Sequence, residues 1–242
     1  MPAKTRVGLF ALALTAAVLI VIARFPAGRL AAWFLPDTDV LQIGGISGSL
    51  WAGEGYGLHW RGRPLGILRW HFAPAPGPAW RLELEGAGLS AAARVRPELN
   101  GWALDDLTGV WPIERLEHGI DKVALGGEVH AAISHLALSE NRLAALDGRL
   151  EWRAARLEAP VQLELGTVTV DLATVETGHI AVNAASSGPA EVTLRGTGKI
   201  ELGTYTLTVH LRAVSPSAGA WLAALGEPQA DGTVRVELAG KL

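Results

Sequence analysis

Seven histidines, at positions 59, 71, 118, 130, 135, 179 and 210, are the side chains of this 242-residue chain with the widest catalytic and metal-binding range. A metal site needs three or four of them, or partners, converging with a supporting outer shell. Here several of them fall on the polar faces of different predicted strands. His130 and His135, five apart, face opposite sides of an extended chain. They read as solvated or strand-capping groups. Two carboxylate pairs, Asp105-Asp106 and Glu114/Glu117, have the composition for acid-base work but do it only where a pocket raises one pKa. In a polar turn, adjacent carboxylates are solvated. The absence of cysteine removes disulfides, thiolate metal sites and a cysteine nucleophile together. Gly53-Glu54-Gly55-Tyr56-Gly57 lacks the third glycine and the following helix of a phosphate-binding loop, and no GxSxG elbow or Walker loop occurs. These glycines read as strand bulges. The expectation is therefore no enzyme, with no catalytic, cofactor-binding or metal residues and no cofactor.

Charge excludes a further class. The formal net charge is -3 and the arginines are spread singly, so no basic face invites nucleic acid. No basic-aromatic ladder for single strands exists either, because the tryptophans lie on apolar strand faces.

The elements that carry these residues are strands. From Val40 onward hydrophobicity alternates with period two nearly to the C-terminus. Leu58/Trp60, Leu68/Trp70/Phe72 and Trp80/Leu82/Leu84 share one face, while His59, Arg61, Arg69, His71, Arg81, Glu83 and Glu85 take the other. The pattern returns in Leu146-Ala154, Val161-Leu165, Val192-Leu194, Tyr205-Leu211 and Val234-Leu238. Parity flips at Gly166, where a bulge would restore register. Pro74-Ala75-Pro76-Gly77-Pro78 and Pro97-Glu98-Leu99-Asn100-Gly101 read as turns, and Asp231-Gly232 turns into the last strand. Two short helices are predicted. One runs from Pro112 to about Glu117 and closes at Gly119; the other has Ser215 as N-cap, Ala218 to Leu225 as body and Gly226 as stop. The fold class is mostly β: a long curved antiparallel sheet, as an open barrel or a sandwich, after one N-terminal transmembrane helix. Leu68-Arg69-Trp70 is echoed by Leu150-Glu151-Trp152, and Ile43-Gly44-Gly45 by Leu125-Gly126-Gly127. The echo fits either a two-fold repeat of about 40–120 and 121–200 or strands of similar design.

Residues 7–23 carry no charge. At about 1.5 Å per residue they reach about 25 Å as a helix, and a snorkelling Arg24 extends that toward the ~30 Å of a hydrocarbon core. The expected organisation is a cytoplasmic start at 1–6, a transmembrane anchor at 7–24, a juxtamembrane stalk at 25–39 and an exported β domain at 40–242. The rival is a cleaved signal peptide, with Lys4 and Arg6 as its basic start. Arg24 and Trp33 are the candidate membrane-interface residues, since an indole keeps its ring apolar and its N–H wet at headgroup level. Trp33 packing under the domain is the alternative.

One stretch exceeds what a β pattern requires. Gly45-Ile46-Ser47-Gly48-Ser49-Leu50-Trp51-Ala52-Gly53-Glu54-Gly55, followed by Leu68-Arg69-Trp70, resembles the GxLWxG signature and downstream tryptophan of the type II secretion system protein N family. The segment from Leu225-Gly226 through Asp231-Gly232-Thr233-Val234-Arg235 is similar to that family's closing motif. The resemblance implies a bitopic bacterial inner-membrane protein with its bulk in the periplasm. It would be an accessory part of the machinery that exports folded proteins, partnered by other type II secretion components and the inner membrane. Gly48, Leu50 and Trp51 are the candidate partner-contact residues. The physical alternative for the stretch is a Gly-rich strand pair with Gly48 and Gly53 as bulges, and Leu50 and Trp51 alternating so that one is buried. A second functional class stays open, because a long sheet that curls without closing resembles AsmA-like and lipopolysaccharide-bridge proteins. Its apolar trough would make lipid the partner.

Overall fold

The computed structural model describes residues 41–74, 77–86, 88–115, 124–140, 142–159, 162–201, 203–223 and 227–241. The predicted anchor, the stalk, Arg24 and Trp33 lie outside the described residues. Among those residues no helix is long and apolar enough to cross a membrane. The protein is mostly β and antiparallel, and its contacts divide it into two units, Met1–Ala87 and Gly88–Leu242.

The first unit is a four-stranded meander of β1 (Leu41–Gly48), β2 (Ala52–Trp60), β3 (Arg63–Phe72) and β4 (Trp80–Gly86). The alternation in the sequence sets its register. Leu68 faces Leu84, Trp70 faces Leu82 and Phe72 faces Trp80, while Arg69 faces Glu83 and His71 faces Arg81 on the other side. A slip of one residue would exchange the two faces. Arg69 ion-pairs with Glu85 at 3.0 Å. β3 and β4 pair as a hairpin, with Ala75 and Pro76 of the proline-rich run outside the described residues, and a register shift between Gly55 and Leu58 puts a bulge at Tyr56-Gly57, where Gly57 has φ of 62°.

The second unit continues with β5 (Leu89–Glu98), β6 (Gly101–Pro112), β7 (Ala124–Ser139), β8 (Arg142–Ala159), β9 (Leu163–Glu176), β10 (His179–Ser187), β11 (Val192–Glu201) and β12 (Thr204–Ala213). A helix, α1 (Pro216–Leu222), and a two-residue strand, β13 (Glu227–Pro228), precede β14 (Val234–Lys241). Strand order follows the chain except at the end, where β14 pairs with β12 and β13 adds outside it. The predicted parity change at Gly166 is present. The β8–β9 register shifts on both sides of the Ala155–Gly166 pair, Gly166 has φ of 72°, and Ala154 on the facing strand takes φ of 47°.

Three expectations need correction. Pro112 does not start an α-helix: β6 runs through it because it still faces Glu128 of β7, and a 3-10 turn, Ile113–Arg115, follows, while the rest of the predicted segment, to Gly119, lies outside the described residues. Gly48 and Gly53 are not bulges but the last facing pair of the β1–β2 hairpin, so Leu50 and Trp51 lie in its loop rather than on a strand. Asp105-Asp106 sits within β6, not in a turn.

The second helix starts as predicted but ends at Leu222, three residues short of the predicted body, and the expected stop at Gly226 lies outside the described residues. Ser215 has extended backbone angles and its Oγ accepts from Ala218 N at 3.3 Å, while Pro216 occupies the first turn, where its missing N–H costs nothing. Seven residues make a marginal helix alone, so packing holds it. Ala218 and Leu222 bury against Leu157, Leu163, Val192 and Val234, with Trp221 packed alongside.

Candidate functional site

The GxLWxG stretch builds a hairpin corner, and its side chains account for the motif. Gly48 has φ of 93°, a conformation that L side chains rarely adopt, and it starts the loop Ser49-Leu50-Trp51. Ser49 closes it: its N–H donates to the Ala52 carbonyl at 2.8 Å, and its Oγ accepts from the N–H groups of Trp51 and Ala52 at 3.2 and 3.3 Å. The three successive loop carbonyls are then satisfied from β3 and β4. Trp70 Nε1 donates to Ser49 O at 2.9 Å, Trp80 Nε1 donates to Leu50 O at 2.9 Å, and Phe72 N donates to Trp51 O at 2.6 Å. The Trp51 ring meets Phe72 edge-on at 4.8 Å, and Phe72 meets Trp80 at 5.3 Å.

Glycine at 53 follows from the same geometry. A Cβ there would stand 2.5 Å from Cζ2 of Trp70 and would collide with the Ser47 carbonyl oxygen. The indole that pins the loop therefore needs a bare backbone beneath it. Structure thus brings Gly48, Leu50 and Trp51 together in one loop. Leu50 and Trp51 are both half-buried. Trp80 completes the corner, and sequence reasoning assigned it to a strand face without its hydrogen bond. Its signal is weak, because thirty residues separate donor and acceptor.

A second polar constellation joins Asp105 and His135, which the sequence presents only separately, to Arg96. In the second unit Asp105 Oδ2 accepts from Arg96 Nε at 2.6 Å, and Asp105 Oδ1 lies 2.8 Å from His135 Nδ1. Burial works against the charged Asp105 carboxylate. The hydrogen bonds from Arg96 and His135, with their charges, outweigh it and hold the carboxyl below its ordinary range. The same bond from Asp105 raises Arg96. Backbone irregularity assembles the group. Asp106 is an extra residue of β6 relative to β5, with φ of 53°, and Ser134 is an extra residue of β7 relative to β8. Nearby, Asp147 accepts from the Thr174 N–H at 2.7 Å and from the Thr174 hydroxyl at 3.0 Å. This is a chain of cross-strand clamps. Among the described residues no three His, Asp or Glu side chains stand together in a way that could hold a metal ion.

A cavity of about 630 Å³ in the second unit is lined by Arg156, Leu157, Glu158, Leu163, Glu164 and Glu191, among others. Its walls mix four charged side chains with Leu157, Leu163 and Gln162. Arg156 is engaged by Glu158 at 2.9 Å, and Glu191 accepts from the Glu164 N–H at 3.2 Å.

Comparison with known proteins gives these features a context. The family model described as "Type II secretion system (T2SS), protein N" matches residues 39–237. A protein named type II secretion system protein N from Vibrio cholerae is 31% identical over 180 residues, covering 69% of this chain and 71% of its own length. A protein of the same name from Klebsiella pneumoniae is 28% identical over 195 residues, covering 74% and 75%. No solved structure matches the chain.

Proposed function

From the premise that the chain belongs to the type II secretion system protein N family, matched across residues 39–237, we propose that it is a non-enzymatic accessory component of the type II secretion machinery, anchored in the bacterial inner membrane with its β units in the periplasm. Its work there is contact with other secretion components. The family match over nearly the whole β region carries this reading. The corner at Gly48, Leu50 and Trp51 supports a contact role, because a loop whose three carbonyls are all bonded presents a fixed surface and binds with little ordering cost. Arg24 and Trp33 are proposed to meet the membrane interface.

Arg156, Glu158, Glu164 and Glu191 in the cavity make that space a poor host for acyl chains, which supports a protein contact over lipid there. Mass spectrometry of the protein purified without detergent checks this: no stoichiometric lipid is expected. Removing the chain from a secreting strain should leave exoproteins folded but retained in the periplasm. Normal secretion without it would overturn the assignment.

A further inference from the structure

The open side of β14 is the feature the secretion assignment leaves unused. β14 pairs with β12 in unbroken register from Thr204–Lys241 to Leu211–Val234, in a unit where several neighbouring strand pairs are bulged. On its other side, among the described residues, β13 covers only Val234 and Arg235. In that antiparallel register only residues 224–226, which lie outside the described residues, could carry the cover on, and no further than Leu238, because Trp221 and Leu222 belong to α1.

Which groups point outward follows from one bond. Gln229 N donates to Thr233 O at 2.7 Å, so the backbone polar groups of Thr233 face away from β12. In a regular strand the N–H and C=O of one residue point the same way and alternate along the chain. The groups of Arg235, Glu237, Ala239 and Lys241 therefore face outward, and those of Val234, Val236, Leu238 and Gly240 bond to β12. Leu238 adds a second observation: it is 41% exposed, although its cross-strand partner Leu207 flanks it on the β12 side. Natural edges are blunted by bulges, prolines, charges or covering elements; among the described residues this half of β14 has no bulge, proline or cover, and its charges are Glu237 and Lys241.

We infer that residues 236–241 of β14 are a strand-addition site, occupied by an extended segment of another type II secretion protein. The segment carries alternating side chains, apolar on the face of Val236 and Leu238 and polar on the face of Glu237 and Lys241. This rests on the secretion reading, which makes the partner a protein. The edge makes the occupant a strand, because main-chain bonds supply affinity and alternate side chains supply specificity. β1 is the weaker candidate, with glycines at 44 and 45 in its interior.

Ala239 gives a selective test. Its N–H faces outward, so Ala239→Pro removes one edge donor while the ladder to β12 stays whole, whereas Leu238→Pro breaks that ladder. With the full chain in a secreting strain, Ala239→Pro should cut exoprotein release at least tenfold, with the variant's melting temperature and abundance unchanged. The natural chain has no cysteine. A single Ala239→Cys labelled with a benzophenone should therefore crosslink to a secretion protein in membranes from secreting cells and not in cells lacking the other components. Crosslinking to a second copy of this chain alone, or no product, overturns the inference. If deleting the chain blocks secretion but Ala239→Pro does not, only the edge is wrong. If deletion has no effect, the assignment beneath it fails as well.

Discussion

Trp70 shows how much one side chain settles. Its ring fills the space over Gly53 and its N–H satisfies the Ser49 carbonyl, so Trp70→Phe keeps most of the packing and orphans one acceptor. A loss of about 1–2 kcal/mol is expected in denaturant unfolding. Gly53→Ala should cost more, because backbone rather than a flexible chain end blocks the new methyl. Asp105 makes a pH prediction. Its folded pKa lies below the ordinary value of 3.8, so the stability it contributes is full above that value and is lost as pH falls through the lower one. Asp105→Asn should flatten that acid limb in pH-dependent melting. At this scale the sequence was partly legible. The GSLW stretch and the later Trp70 were visible as a motif, but the bonds joining them were not. His135 and Asp105, thirty positions apart, meet only through a β6–β7 register that no local pattern encodes.

Elements were easier to read than their partners. Alternation identified the strands, and Ser215-Pro216 identified α1 with its cap. Ser215→Ala should cost about 1 kcal/mol. Leu222→Ala should cost about 2–5 kcal/mol, since Leu222 is 1% exposed within the Leu157, Leu163, Val192 and Val234 cluster. Both are measured by thermal or urea unfolding. The Pro112 segment was misread because proline at a first helical turn and proline at a strand end look alike locally. The ladder to β7 decides between them. Bulges split the same way: Gly166 announced itself through a parity change, whereas Asp106 and Ala154 reach positive φ without glycine and left no mark in composition.

For the whole molecule, the mostly β antiparallel class was legible, and the division after residue 87 was not, since Gly86-Ala87-Gly88 looks like the other Gly-containing turns of the chain. Protection should follow strand length. Amides in the paired interiors of β7 and β8, 16 and 18 residues long, should exchange slowest in hydrogen-exchange mass spectrometry, and those of the two-residue β13 fastest. Chain-order pairing has a consequence for synthesis. Nearly every strand finds its neighbour in the segment made just before it, so loop closures are short and each hairpin can zip as it emerges. The exception is the C-terminal tail, whose final ribbon must reach back past α1 to β12. A nascent polypeptide can thus pair its strands as far as β12 before β14 is synthesised, and the arrival of β14 acts as the closing latch.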